Sequence, residues 1–155
     1  MATDDTPAYG GASLIADTSA WTAIRRSKQL GNTPADWTAA LYNGQLLTSP
    51  IVKLELLHST SNAVDFEKLD DLLGWFREIE ISPPVFRAAE WALRELAKIG
   101  ENYHRVGVAD ALIAASAAER SVGVLHYNHK DFRRLARVLR FNVVELAPPG
   151  TFERS

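Results

Sequence analysis

The sequence predicts an α/β fold, a three-layer α/β/α sandwich built on a mainly parallel sheet. Short apolar runs of strand length alternate along the chain with longer segments that have a helical period. One of these segments, residues 108–119, is rich in alanine and apolar on almost every face, which is typical of a helix at the centre of a domain. Strands separated by helices indicate βαβ crossovers, which build parallel sheets covered on both faces.

Length and composition restrict the class of protein. A chain of 155 residues is long enough for one domain with a substantial core, and we predict that domain at 13–146, between loose tails at 1–12 and 147–155. The chain has no cysteine, so a metal site must use oxygen or imidazole ligands. No signal peptide or membrane span is visible, and the expected location is cytoplasmic. The net charge of -2 argues against a strong overall attraction to nucleic acid but leaves local basic patches open.

The first half of the chain alternates short strands with helices that begin at hydroxyl residues. Thr18 or Ser19 can cap the first helix, because a side-chain oxygen accepts a hydrogen bond from a free amide of the first turn. Thr33-Pro34 and Ser49-Pro50 place a proline in the first turn, where its missing amide hydrogen costs little. The predicted elements are a strand at 13–16, helices at 18–25 and at 33 to about 42, a strand at 46–48 and a helix around 54–57.

Periodicity and glycine or proline breaks define the second half. Apolar residues recur with a helical period over 64–76, and they alternate with acids over 78–81 as in a strand. Ser82 and two prolines begin a long helix that Gly100 ends. The remaining predicted elements are a polar loop at 101–107, a helix at 108–119 that Gly123 ends, a strand at 124–126, a basic helix from 128 to about 140 and a strand at 143–146.

Four acids lie where apolar segments begin or end: Asp17, Glu55, Asp110 and Asp131. In folds with a parallel sheet, functional groups gather at the carboxyl ends of the strands, so we expect these carboxylates to meet. Converging carboxylates raise one another's pKa, and a hard divalent cation such as Mg²⁺, which prefers oxygen ligands, resolves this conflict. Such an ion activates and orients a water and neutralises charge on a phosphoryl oxygen, as hydrolysis of a phosphodiester requires.

Each of these acids also has an ordinary structural interpretation. Asp17 is a candidate helix cap, and Glu55 a candidate solvated residue on a helix. Asp110 suits the positive end of a helix dipole, and Asp131 could cap a helix or pair with a neighbouring base, Arg134 or Lys130. Because the chain has nineteen acidic residues, acids at strand ends also occur by chance. Spacing alone therefore leaves a metal site and purely structural roles both open.

Four motifs resemble those of a known family, and they occur in the family's order. Residues 14–21 resemble the opening strand and Asp-Thr-Ser motif of PIN-domain ribonucleases, and residues 52–57 are similar to their helical Glu motif. Residues 109–115 resemble the Asp helix of the VapC-type toxins within that family, and residues 128–132 resemble the final Asn-x-x-Asp-Phe motif. The resemblance covers about 13–146.

The resemblance implies a PIN-like α/β/α sandwich and a specific activity. Members of this kind are toxins of type II toxin–antitoxin systems: endoribonucleases that depend on Mg²⁺, or on Mn²⁺ in its place, and leave a 5′-phosphate and a 3′-hydroxyl. The implied partners are a cognate VapB-type antitoxin and an RNA substrate, for which transfer RNA and ribosomal RNA are candidates. The resemblance also implies a homodimer and a toxin–antitoxin hetero-oligomer, with no membrane partner.

Carried over by motif, the four acids form one catalytic set. Asp17 and Asp110 would be the metal ligands. Glu55 would hold or activate the attacking water, and Asp131 would complete the pocket. We call these four residues the acidic quartet.

Further residues are candidates for supporting and RNA-binding roles. Thr18 and Asn128 would be supporting polar groups, again by the resemblance. A basic helix follows Asp131 in an otherwise mildly acidic chain, and Lys130, Arg133 and Arg134 are the residues on it that we expect to contact RNA phosphates. A solvated helix face is the alternative for these three bases.

Two other functions fit parts of the pattern. A PIN-like protein could bind RNA or a partner without cleaving it, although a pure binder has little need of four converging acids. A receiver-like phosphoacceptor domain also gathers acids at strand ends. It would need an acidic pair after the first strand, which Asp17-Thr18-Ser19 lacks.

Overall fold

Five strands form one parallel sheet in the computed structural model, which describes residues 13–26 and 44–145. The strand order is β3-β2-β1-β4-β5, and every paired neighbour is parallel. This confirms the predicted α/β class. The strands are β1 (Leu14–Ala16), β2 (Leu46–Thr48), β3 (Arg77–Glu78), β4 (Gly123–His126) and β5 (Val143–Glu145).

Helices connect these strands and cover the sheet. In the described ranges they are α1 (Thr18–Arg26), α2 (Pro50–His58), α3 (Ala63–Leu73), α4 (Pro83–Ile99), α5 (Val108–Arg120) and α6 (His129–Leu135). The cap-then-proline signals begin α2 and α4 as predicted, and the Ser49 hydroxyl accepts a hydrogen bond from the amide of Val52 at 3.2 Å. None of these helices is long and apolar enough to cross a membrane.

Helix α5 lies in the core, as its composition predicts. Residues Ala111 and Ile113 through Ala117 are buried, and the helix contacts strand β4 together with α2, α4 and α6. Small side chains let these elements approach closely from several sides. The position of α5 fixes where its first turn, which contains Asp110, meets the edge of the sheet.

The predicted strand at 78–81 begins and ends earlier than expected. Strand β3 is an edge strand that pairs only with β2, and Glu78 lies opposite Thr48, the last residue of β2. The amide of Ile79 still donates to the Thr48 carbonyl at 2.9 Å, but beyond it β2 offers no further partner. The alternation through Ile81 therefore reflects burial of the isoleucines and not a longer ladder.

Three predicted helix ends are also wrong. Helix α3 ends at Leu73 and not at 76, although Phe76 continues its apolar face by packing against Trp21, with ring centroids 5.0 Å apart. Helix α6 ends at Leu135 and not near 140, because the amides of Arg137 and Val138 bond back only three residues, to the carbonyls of Arg134 and Leu135, in a tight turn. Helix α5 ends at Arg120, where Ser121 adopts a left-handed φ of 55°.

Gly123, which was predicted to end α5, is instead the first residue of β4. A Cβ atom there would lie 2.7 Å from Leu14 Cδ2 and 3.0 Å from the Asn142 carbonyl oxygen. Glycine is thus required by close packing between strands. The predicted helix at 33–42, the tails at 1–12 and 147–155, and the last residue of the predicted strand at 143–146 lie outside the described residues.

Candidate active site

The site lies at the carboxyl edge of the sheet, where the strand order changes direction. From β1 the chain builds β2 and β3 on one side, and it later adds β4 and β5 on the other. The connections that leave β1 and β4 therefore diverge and open a crevice, which is the usual ligand position in open α/β sheets. Asp17 follows β1 directly, and its amide donates to the Leu125 carbonyl of β4 at 3.0 Å.

Asp17 is buried, with 1% of its surface exposed. Its carboxylate accepts hydrogen bonds from the Ser19 hydroxyl, at 2.7 and 2.9 Å to the two oxygens, and from the amide of Ala20 at 2.9 Å. The residue that caps α1 is therefore Asp17, which confirms the interpretation of this acid as a helix cap, and the alternative cap at Thr18 or Ser19 is wrong. Burial raises the pKa of Asp17 to about 6, with a smaller rise from the charge of Glu55, although the hydrogen bonds lower it.

Ser19 connects this carboxylate to the next strand. Its hydroxyl oxygen accepts a hydrogen bond from the amide of Tyr127 at 2.8 Å while its proton is donated to Asp17. The ends of β1 and β4 are thereby held together at the acid. Sequence reasoning treated Ser19 only as a possible cap, although its place in the Asp-Thr-Ser motif was the signal that could have identified it as a site residue.

Asp110 and Asp131 lie together and share one amide donor. The Asn128 side-chain amide is 3.1 Å from Asp110 Oδ2 and 3.1 Å from Asp131 Oδ2, and it donates to both. Asn128 also caps α6, since its side-chain oxygen accepts from the amide of Asp131 at 3.4 Å. The supporting position predicted for Asn128 is therefore beside both acids.

The charges of the quartet act on Asp110. Its pKa is raised to about 8, first by burial, then by the charge of Asp17, by a hydrogen bond with Asp131, and by the charges of Asp131 and Glu55. With a pKa of about 8, the Asp110 carboxyl holds its proton at neutral pH, and a bound cation would favour the loss of that proton. The structure thus places Asp17, Glu55 and Asp131 within electrostatic range of Asp110.

Gly107 closes the site from the loop before α5. Its amide donates to Asp131 Oδ2 at 3.0 Å. A Cβ atom on Gly107 would lie 2.7 Å from Asp110 Oδ2 and 3.6 Å from Asp131 Oδ2, so the backbone can come this close only without a side chain. Gly107 is a site residue that sequence reasoning missed, and only its position three residues before Asp110 hinted at it.

Glu55 lies on α2 at the open side of the site. Its Oε1 accepts a hydrogen bond from the Thr18 hydroxyl at 2.7 Å, which places the predicted supporting residue Thr18 against the acid. Both residues line an open cavity of about 470 Å³ together with Leu54 and His58. Glu55 is exposed, so it is the member of the quartet most accessible to water and to a large substrate.

The donor set fits a hard divalent cation held by few direct ligands. Among residues 13–26 and 44–145, no three Asp, Glu or His side chains already surround a single point. No ion pair within the described ranges includes a member of the quartet. Mg²⁺ commonly takes only one or two carboxylates and keeps several waters, which suits Asp17 and Asp110 with the other acids farther out.

The three predicted RNA-binding bases have different surroundings. Lys130 is exposed, and no described residue forms a hydrogen bond or an ion pair with its side chain. Arg133 donates twice to Glu145 Oε1, at 2.7 and 3.0 Å, although much of its side chain is exposed. Arg134 donates to the Tyr103 carbonyl at 3.2 Å. Among residues 13–26 and 44–145, the ion pairs include none between Asp131 and either Lys130 or Arg134.

Comparison with known proteins identifies the family. A family model described as PIN domain matches residues 14–138. This chain belongs to the PIN-domain family. This PIN domain is similar to ribonuclease VapC18 of Mycobacterium tuberculosis, with 33% identity over 136 residues that cover 87% of the chain and 96% of the relative. It is also 32% identical to ribonuclease VapC of Rickettsia bellii over 129 residues, 79% of the chain and 90% of the relative.

Solved structures share the fold of this PIN domain. The DNA-bound VapBC structure from Salmonella typhimurium superposes with a TM-score of 0.65 at 17% identity, covering 88% of this chain and 99% of the other. VapBC-5 from Mycobacterium tuberculosis superposes with a TM-score of 0.60 at 18% identity, covering 86% and 98%. These structures confirm the PIN-like sandwich, and the two named relatives confirm the resemblance to VapC-type proteins. The receiver-like alternative is set aside.

Proposed function

We propose that this PIN-domain protein is a VapC-type toxin, a metal-dependent endoribonuclease that a cognate antitoxin inhibits. Two relatives that align over most of the chain are named ribonucleases VapC, which supports the activity. The observation that carries the proposal for this chain is that buried Asp17 lies close enough to Asp110 for their charges to repel, at the point where the strand order changes direction. Two carboxylates that repel each other there suit a cation better than a purely structural role.

Asp17 and Asp110 are the proposed ligands of Mg²⁺, or of Mn²⁺ in its place. When bound, the ion would neutralise charge that develops on the phosphoryl oxygens and lower the pKa of a water. Ser19 holds the Asp17 carboxylate through both oxygens, so this ligand is oriented before an ion arrives. Hydrogen bonds of this kind to a ligating side chain tune and fix metal sites.

Glu55 is the proposed base. Its Oε1 already accepts the Thr18 hydroxyl, so Oε2 is the oxygen proposed to take a proton from the attacking water. The water oxygen then bonds to phosphorus as the bond from phosphorus to the 3′-oxygen breaks in line. The departing 3′-oxygen takes a proton from a solvent water, and the products carry a 3′-hydroxyl and a 5′-phosphate.

Asp131 and Asn128 are proposed to hold Asp110 in place at the edge of the site. Asn128 donates to both acids, and Gly107 donates to Asp131, so the orientation of Asp110 depends on a small hydrogen-bonded group. Exposed Lys130 and Arg133 are the proposed contacts to RNA phosphates beside it. The substrate is proposed to be a structured RNA, transfer RNA or ribosomal RNA.

The proposed partners are a VapB-type antitoxin and a second copy of the chain, which would form a toxin–antitoxin hetero-oligomer. Several structural neighbours are described as VapBC or toxin–antitoxin complexes, among them those from Salmonella typhimurium and Klebsiella pneumoniae. Affinity purification of the tagged chain from its own cells, followed by mass spectrometry of any small protein that copurifies, would test the partner directly.

Cleavage of total cellular RNA by the purified protein, freed of antitoxin, tests the activity. We expect discrete fragments with Mg²⁺ or Mn²⁺, and none with EDTA or with Asp17→Asn, which keeps the shape and the helix cap. Asp71→Asn, an exposed acid on α3, is the matched control and should cleave normally. RNA binding without cleavage under every metal condition would support the binding protein instead.

A further inference from the structure

The loop before α5 is attached to α6 and to the turn after it by one tyrosine and two arginines. The Arg134 guanidinium carbon lies 4.3 Å from the centroid of the Tyr103 ring, and its Nη1 donates to the Tyr103 carbonyl at 3.2 Å. The Arg137 guanidinium carbon lies 5.4 Å from the same centroid, and its Nη1 donates to the Tyr103 hydroxyl at 2.9 Å. We call Tyr103, Arg134 and Arg137 the tyrosine clamp.

The same loop touches α6 a second time inside the active site. Four residues after Tyr103, the amide of Gly107 donates to Asp131 Oδ2 at 3.0 Å. Asp131 and Arg134 are three residues apart on α6 and therefore share a face of that helix. Val106 is buried between the two attachment points. The loop is thus held along one side of α6 from the clamp to the quartet.

The end of this loop sets the position of a proposed metal ligand. The Gly107 carbonyl accepts the first hydrogen bond of α5, from the amide of Ala111 at 3.0 Å. Asp110 lies in that first turn, and its Oδ2 would be 2.7 Å from a Cβ on Gly107. A shift of the loop away from α6 would therefore move Gly107 relative to both Asp110 and Asp131.

We propose that Arg134, by holding Tyr103, positions Asp110 for metal binding and is not a contact to RNA. It is a positioning residue, since it acts through the loop and touches no member of the quartet in the described structure. The guanidinium already lies over a ring face and donates to a carbonyl, and lysine lacks the extended guanidinium group that makes both contacts at once. The inference rests on the proposed function, because it assigns the clamp a role in that metal site.

The discriminating change is Arg134→Lys, which keeps the positive charge that an RNA phosphate would need. We expect Arg134→Lys and Arg134→Ala each to weaken Mn²⁺ binding and lower kcat by about tenfold, the effect typical of residues that support metal ligands. The KM for RNA should stay within about twofold of wild type, because substrate contacts are unchanged. Tyr103→Leu carries no charge change and should reproduce the losses in kcat and Mn²⁺ affinity.

Two variants define the controls. Tyr103→Phe keeps the ring and the carbonyl and loses only the hydroxyl bond to Arg137, so its Mn²⁺ affinity should remain close to wild type. Arg140→Lys makes the same chemical change as Arg134→Lys at an exposed arginine that forms no hydrogen bond or ring contact with the described residues. Circular dichroism and thermal melting identify any variant that fails to fold. If Arg134→Ala does not fold, Tyr103→Leu and Arg134→Lys still test the clamp.

Mn²⁺ titration without RNA separates failure of the clamp from failure of the nuclease. Wild-type Mn²⁺ affinity in Arg134→Lys and Tyr103→Leu would overturn the clamp, whether or not the protein cleaves RNA. A raised KM in Arg134→Ala that lysine restores, with kcat and Mn²⁺ affinity unchanged, would also overturn it and make Arg134 an RNA contact. Weakened Mn²⁺ binding in these variants of a protein that cleaves no RNA would support the clamp and refute the nuclease. A wild-type protein that binds no Mn²⁺ would refute both.

Discussion

Gly107 and Asp110 approach so closely that a Cβ atom on the glycine would lie 2.7 Å from Oδ2 of the aspartate. The backbone of Gly107 is not in a left-handed conformation, with φ at -57°, so the constraint is space and not backbone strain. The absence of a side chain at this position thus lets the loop deliver its amide to Asp131 while Asp110 occupies the adjoining space.

Gly107→Ala should therefore impair the site without unfolding the protein. The new methyl group must displace the Asp110 carboxyl, and misplacing a catalytic group by about 1 Å can cost a hundredfold in rate. We expect a loss of at least about tenfold in RNA cleavage with a folded protein by circular dichroism. Gly100→Ala is the control, since its backbone is extended and nothing lies within 4 Å of the added Cβ. Equal activity of the two variants would contradict this view of Gly107.

The raised pKa of Asp110 predicts how stability depends on pH in the absence of metal. Its folded pKa of about 8 exceeds the ordinary value of 3.8, so between these values the folded state binds more protons than the unfolded chain. The contribution of Asp110 to the free energy of unfolding must then fall as pH rises from 3.8 to about 8. Asp17, with its pKa raised to about 6, contributes in the same direction over the lower part of this range.

Melting temperatures measured in EDTA from pH 5 to pH 8.5 would test this. Relative to Asp110→Asn, which has no proton to release, wild-type protein should lose stability as pH rises across the range, and the variant should be the more stable protein near pH 8. Mg²⁺ added near pH 8 should restabilise the wild type but not the variant, because it binds the ionised folded state. Identical melting curves for the two proteins in EDTA near pH 8 would contradict the assignment.

Ser19→Ala should weaken the site through Asp17. The hydroxyl that donates to both Asp17 oxygens stabilises the charged carboxylate, so its loss should raise the Asp17 pKa further and shift the pH profile of cleavage toward higher pH. Loss of the part-buried hydrogen bonds to Asp17 and from Tyr127 should also lower the free energy of unfolding by about 1 kcal/mol.

Ser116→Ala is the matched control for that change. Ser116 is a buried serine of α5 whose hydroxyl donates to the Leu112 carbonyl at 2.7 Å within the same helix. It should show a similar or smaller loss of stability with an unchanged pH profile. A Ser19→Ala enzyme with the wild-type pH profile would show that the hydroxyl does not tune Asp17.

Thr18→Val should slow the reaction with little effect on metal affinity. The Thr18 hydroxyl donates to Glu55 Oε1 at 2.7 Å, and valine keeps the shape of the side chain but cannot orient the carboxylate. We expect about a tenfold loss in kcat, with Mn²⁺ binding near wild type, since misorientation of the base affects the attacking water and not the proposed ligands. Thr18→Ser, which retains the hydroxyl, should recover most of the rate. If Thr18→Val lost Mn²⁺ binding, Glu55 would be a ligand of the metal and not a base acting on the attacking water.

Local patterns in the sequence were sufficient for most of the fold. The strands at 46–48 and 124–126 and the proline-marked starts of α2 and α4 were predicted, because each depends on burial periodicity or on caps within one turn. The predicted ends of elements were wrong where contacts with residues distant in the sequence set them. Strand β3 stops at Glu78 because β2 stops at Thr48. Gly123 is a glycine for close packing between strands and not for a helix end, because Leu14 and Asn142 leave little room for a Cβ.

The sequence by itself determined which acids form the candidate site, because four motifs in the family's order contain Asp17, Glu55, Asp110 and Asp131. Only the tertiary structure decided what holds those acids. Ser19 meets Tyr127 across 108 residues of chain, and Arg134 meets Tyr103 across 31. Such pairs have no periodic signal, since their spacing is set by how strands and helices pack and not by the repeat of either. For the same reason, a basic helix that resembled an RNA contact in the sequence includes, in the structure, an arginine stacked on a tyrosine of the active-site loop.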